Sequence, residues 1–114
     1  MSQWNTKNLD ELFDIGGKDL VFELIHLFTD ESTSIVEKLN QAVKENKQEV
    51  IGQIAHKLKS SAASLGLKEL SEQCLKLDMK HRDGAQIISS DVELAIQKIQ
   101  ISKKLLQDYK KLKS

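Results

Sequence analysis

The feature that most constrains this chain is a three-and-four spacing of Leu, Ile, Val and Phe that recurs almost from end to end, with no proline anywhere to interrupt it. Residues at that spacing share one face of an α-helix, so each stretch predicts an amphipathic helix that must bury its stripe against another. The abundance of Leu, Ile, Lys, Glu, Ser and Gln and the scarcity of aromatic residues favour helix over sheet in the same direction. An all-α class follows.

Breaks in the pattern divide the chain. Residues Thr6 to Ile15 predict a short helix with Leu9, Leu12 and Phe13 on one side, ended by Gly16-Gly17, where glycine accepts the left-handed backbone that stops a helix. A long helix is predicted from Lys18 to about Glu45, with Leu20, Leu24, Phe28, Ile35, Leu39 and Ala42 or Val43 inward, Ser32 interrupting the stripe, and a bend expected across Thr29 to Ser34. Asn46-Lys47-Gln48-Glu49 reads as a cap with a reciprocal Glu, opening a third helix that stops near Leu65 and Gly66. The fourth carries Leu67, Leu70, Cys74, Leu77 and His81 and ends at Arg82-Asp83-Gly84; Ser90-Asp91-Val92-Glu93 reads as a capping box for the last, with Leu105, Leu106, Tyr109 and Leu112 inward. Short connections between long helices make antiparallel neighbours. The expected fold is therefore an antiparallel up-down four-helix bundle with a short additional N-terminal helix, one domain over residues 1–114. Trp4 reads as an N-terminal packing anchor or an exposed contact.

At 114 residues the chain has room for one core, burying about two thirds of what the unfolded chain exposes. Seventeen Lys and Arg balance seventeen Asp and Glu, so no basic field points to nucleic acid or an anionic membrane. No apolar run approaches the ~20 residues that span a bilayer, no signal peptide is visible, and the lone Cys74 implies no disulfide. A cytoplasmic monomer is expected.

The third helix carries the chemistry. Wound at about 100° per residue and centred on Leu58, its apolar face gathers Ile51, Ile54, Ala55, Ala62 and Leu65, and His56 lies about 160° away, toward solvent. Gly52, Ser60, Ala63 and Ser64 keep the surroundings low, where an exposed bundle helix usually carries long charged residues. Lys57 and Lys59 flank the ring and Gln53 lies a turn back. Such a patch lets a partner's backbone approach a neutral imidazole, which is nucleophilic near neutral pH. Phosphoryl transfer to it needs positioning and positive charge, which Lys59 can offer.

The run His56-Lys57-Leu58-Lys59-Ser60-Ser61-Ala62-Ala63-Ser64-Leu65-Gly66 resembles the signature of the histidine-containing phosphotransfer (HPt) domains of two-component phosphorelays. Leu70, Cys74, Leu77 and Asp78 look like that family's next helix, and Phe13, Gly16, Asp19, Leu24 and Phe28 fit its N-terminal segment. Ser60 departs from the pattern, where the family usually has glycine to let a receiver domain approach. The resemblance implies that His56 accepts a phosphoryl group, with Lys59 steadying it and Gln53 and Ser60 close enough to hydrogen-bond. It implies receiver domains and an upstream hybrid histidine kinase as partners, with Mg²⁺ supplied by the receiver and no cofactor of the chain's own. Gly52, Lys57, Ala63 and Ser64 would form the docking face.

No Gly-rich ATP loop is present, so the expected role is that of a phosphocarrier rather than a kinase. The other reading is a helical adaptor in which His56 is incidental. Glu23-x-x-His26 and Asp78-x-x-His81 invite comparison with di-iron bundles, but the further inward carboxylates such a centre needs are missing from the stripes, and no metal site is expected. Cys74 reads as core and His81 as a helix-end histidine favoured by the helix dipole.

Overall fold

The computed structural model describes residues 6–114; Trp4 lies outside them. Four helices follow one another: α1 (Lys7–Lys44), α2 (Gln48–Ser64), α3 (Lys68–Arg82) and α4 (Ser89–Lys113). Each packs against its neighbours in sequence and α4 closes onto α1, while the backbones of the diagonal pairs stay apart among the described residues. That is the up-down arrangement short connections impose. Among the described residues, no helix is long and apolar enough to cross a membrane.

α1 is broken at Gly17, whose φ of 78° and ψ of −176° no helix can accommodate. The short arm before it is the expected N-terminal helix. It folds across one end of the bundle, burying Leu9 completely. There Asn8 donates to the carbonyl of Ala63 at the end of α2 (3.1 Å), and the Tyr109 hydroxyl on α4 donates to Asp10 (2.6 Å).

The long arm stays helical through Thr29 to Ser34. Thr29 and Ser32 turn their hydroxyls back onto the carbonyls of Ile25 and Phe28, so the buried Ser32 costs the stripe no unsatisfied group. The stripe itself is rotated from the expected one: Val21 and Ile25 are in the core, while Leu20 and Leu24 flank it. In α4 the inward line is Val92, Ala95, Ile99, Ser102, Leu106 and Tyr109; Leu105 is half-buried, and Leu112, expected inward, is 83% exposed.

Two helix starts also differ from expectation. Asn46 closes α1 instead of capping α2: it takes a left-handed φ of 52°, and the amides of Asn46 and Lys47 return to the carbonyls of Val43 and Ala42. Gln48 then ties the far end together, exchanging two hydrogen bonds with the backbone of Ile87, whose side chain is buried. α4 begins one residue before the expected box, and Asp91 accepts from the amide of Ile88 at 3.3 Å.

Candidate functional site

α2 and α3 are the most extensively packed pair, because Gly52, Ala55 and Ala62 leave α2 with a low inner surface. Ser71 on α3 locks the register by donating to the carbonyl of Lys59 at 3.1 Å. This pairing fixes what stands beside His56, midway along α2.

The His56 imidazole is 58% exposed, as the winding of the helix predicts. Its Nδ1 lies 3.2 Å from Oδ2 of Asp78, on the facing turn of α3. Asp78 is 4% exposed, and the same oxygen receives Lys59 Nζ at 3.0 Å and an Arg82 guanidinium nitrogen at 3.2 Å. Burial is the largest single influence on the Asp78 carboxyl and pushes its pKa up. The hydrogen bonds from Lys59 and His56 and the charges of Arg82 and Lys59 together outweigh it and hold the group below its ordinary value. Asp78 is therefore a carboxylate at neutral pH.

The ionised carboxylate sets the tautomer of the ring. An N–H on Nδ1 donated to it is a charge-assisted bond. Arg82 also lies 3.4 Å from Nδ1, but a guanidinium only donates and could bond only a ring nitrogen without a proton. The shorter contact to the carboxylate decides: Nδ1 carries the proton, and Nε2, which has no hydrogen-bond partner among the described residues, keeps its lone pair for chemistry.

The remaining predicted residues divide into groups. Gln53 and Lys57 line a shallow depression of about 320 Å³ with His56, Asp78, His81 and Arg82. Gln53 is exposed and reaches back to Glu49 at 3.5 Å rather than to the ring. Gly52, expected on the docking face, also lines this depression but is itself buried beneath His81, whose ring occupies the space a Cβ would need. Its missing side chain makes room for α3. Ser60, Ala63 and Ser64 are exposed further along α2; Ser64 donates to the Ser60 carbonyl, and the Ser60 hydroxyl makes no bond to His56. On the α1 side of α2, Lys57 borders a groove of about 390 Å³ floored by Phe28, Ile35, Ile54 and Leu58.

Sequence reasoning placed Arg82 only at a helix end and gave Asp78 no part in the site. A carboxylate four residues after Cys74, on the inward face of α3, was the available signal, since a buried charge demands partners. Among the described residues no three His, Cys, Asp or Glu side chains gather as a metal site; His26 pairs with Asp30 on the surface. The Cys74 thiol is pushed up to about 12 by burial and is no nucleophile.

A helical bundle with an exposed, carboxylate-oriented histidine at mid-helix defines a phosphotransfer domain. The Hpt domain family matches residues 23–109, and the chain belongs to that family, the histidine phosphotransfer intermediates of two-component phosphorelays. It is similar to the phosphorelay protein LuxU of Vibrio cholerae serotype O1 (strain ATCC 39315 / El Tor Inaba N16961), with 33% identity over 95 residues covering 82% of this chain and 84% of that protein. LuxU of Vibrio vulnificus (strain YJ016) is 32% identical over 84 residues, covering 74% and 73%. The crystal structure of histidine-containing phosphotransfer protein B (HptB) from Pseudomonas aeruginosa PAO1 superposes with a TM-score of 0.85 over 96% of this chain and 95% of that one; at 19% identity it speaks to the fold.

Proposed function

We propose that His56 is the phosphoryl carrier and that it reacts through Nε2. The observation that carries this reading is the exposed ring held through Nδ1 by the buried Asp78 carboxylate. In the reaction Nε2 attacks the phosphorus of an aspartyl phosphate on a receiver domain. The N–P bond forms as the P–O bond to the aspartate breaks, and the electron pair leaves with the aspartate carboxylate. Asp78 accepts the hydrogen bond of Nδ1–H and stabilises the positive charge that grows on the ring. Lys59 and Arg82, both drawn to Asp78 beside the ring, are the cations available to supply charge for the phosphoryl oxygens. Mg²⁺ belongs to the receiver.

The same step run backward onto a second receiver completes the relay, with a hybrid histidine kinase upstream. The chain acts as substrate and donor and draws no phosphate from ATP. The α1–α2 groove beside Lys57 and the small residues Ala63 and Ser64 suit a receiver's docking face, where an apolar fringe and low side chains favour a transient contact.

The test is incubation with a phosphorylated receiver domain. Acid-labile, alkali-stable phosphate should appear on the wild-type chain and be absent from His56→Gln. No label on the wild type, or equal label on the variant, refutes the assignment and leaves an adaptor.

A further inference from the structure

The sequence points to Lys59 as the cation beside His56, but its ammonium turns into the seam between α2 and α3. Lys59 Nζ lies 3.0 Å from Asp78 Oδ2, and its side chain is only 24% exposed. Arg82, the last residue of α3, reaches the same oxygen at 3.2 Å with its side chain 60% exposed. The depression around His56 is lined by Arg82 and Lys57 and not by Lys59. Of the two cations on Asp78, the one that opens onto the accessible side of the ring is therefore Arg82.

Arg82 is also the cation that can leave. Both of its contacts run through one nitrogen, Nη2, which meets Asp78 Oδ2 and lies 3.4 Å from His56 Nδ1. Nδ1 carries the ring proton, so the second contact sets donor against donor and holds nothing. The rest of the guanidinium is a planar fork of N–H donors, a shape that suits phosphoryl oxygens. Asp78, at 4% exposure, is costly to strip of its cations. While the ring is neutral it has Lys59 and Arg82. Once Nε2 holds a phosphoryl group and Nδ1 keeps its proton, the ring itself becomes a cation against the carboxylate. Asp78 can then release Arg82 without loss of positive charge around it.

We propose that phosphorylation exchanges the cations on Asp78: the charged ring takes the place of Arg82, and Arg82 turns outward to bind the phosphoryl oxygens while Lys59 stays with the carboxylate. The inference rests on His56 being the carrier through Nε2, and it makes Arg82 rather than Lys59 the phosphoryl-binding residue. Asp78, Lys59, Arg82 and a neutral ring carry about +1 in all; a cationic ring and a phosphoryl group of about −2 bring the sum to about 0. Loading thus leaves the cluster about one charge more negative, with the added negative charge on the side that Arg82 can reach. The loaded chain therefore gains more from Arg82 than the unloaded one.

The experiment is an equilibrium one. Chain and phosphorylated receiver are mixed, and the partition of phosphate between them is measured once both directions of transfer have balanced. Arg82→Gln should lower the equilibrium constant for loading His56 about fivefold or more, because a hydrogen bond between charged groups is lost from the loaded state. Lys57→Gln, which removes a charge from the same depression, should lower it less. A residue that only helps a receiver to dock changes forward and reverse rates by the same factor and leaves the partition where it was. An unmoved constant in Arg82→Gln, or an equal fall in Lys57→Gln, overturns the proposal. A second measurement needs no variant: in the wild type the Arg82 guanidinium signals in nitrogen NMR should shift on phosphorylation more than those of the Lys59 ammonium, and the reverse order overturns the proposal equally. Absence of label on the wild type refutes the carrier assignment itself, whereas a labelled wild type with a partition indifferent to Arg82→Gln refutes only the role of Arg82.

Discussion

At position 52 a side chain is missing where the His81 ring now lies. The exchange is what lets α3 approach α2 closely enough for Asp78 to reach His56. It makes a sharp test of packing against propensity. Gly52→Ala alone removes helix-interior glycine, a gain of about 1 kcal/mol, but drives a Cβ into the imidazole, and overpacking of this kind costs ~1–3 kcal/mol. The single variant should be destabilised by about 1 kcal/mol and the same substitution in a His81→Ala background stabilised, a coupling above about 1 kcal/mol in denaturant unfolding. Additive effects would show that the ring moves away freely. His56 and Lys59 were legible at this scale, because both lie on one helix whose winding is known. Asp78 and Arg82 were not, being 22 and 26 positions beyond His56; only the register of one helix on another brings them there.

At the scale of elements the helix ends are the informative parts. α1, α2 and α3 stop in the same way: residues in left-handed conformation at Asn46, Gly66 and Gly84, with the next amide bonded back to the carbonyls of Ala42, Ala62 and Lys80. Glycine stops at Gly66 and Gly84 were readable; Asn46 was mistaken for a start, since asparagine serves both purposes. A Cβ on Gly84 would meet nothing within 4 Å, so Gly84→Ala isolates backbone strain and should cost about 1 kcal/mol. Asn46→Gly relieves such strain but gives up the exposed bonds from Gln48 and Gln86, and should stay within about 0.5 kcal/mol of wild type. Urea titrations of the two variants check the contrast; equal losses would mean that the Asn46 side chain dominates its turn.

Across the whole molecule, acidic groups sit at the joints between elements. Asp10 joins the N-terminal arm to Tyr109 of α4, Asp78 joins α3 to α2, and Asp91 of α4 binds Lys80 of α3 at 2.7 Å. All three carboxyls are held below their ordinary values: Asp10 chiefly by the Tyr109 hydrogen bond, Asp91 chiefly by Lys80, and Asp78 by its cations against its burial. The unfolded chain therefore binds their protons first, and their contribution, complete above about pH 4, is lost as pH falls below it. Burial acts oppositely on Cys74, raised from 9.0 to about 12, and on Tyr109, also raised. Their contribution is complete below about pH 9 and fades as pH climbs toward 12. Thermal melts should show a plateau between these limits and a fall on both sides. Tyr109→Phe should lower stability by about 1 kcal/mol, the value of a bond to a half-exposed carboxylate, and should flatten the acid limb. A limb unchanged in that variant would place the acid sensitivity elsewhere.

The sequence by itself determined the class of fold, the number and order of helices, the break at Gly17 and the outward position of His56, because all follow from local backbone preference and a period of 3.6 residues. Tertiary structure alone decided which apolar residues lie deepest, as with Val21 over Leu20 and Leu106 over Leu112, and it buried Gly52 against His81. It also brought Asp78 and Arg82 to His56. A helical period locates a face to within a residue or so, whereas a hydrogen bond across two helices depends on their axial register and separation, which are set by how whole side chains fill the space between them.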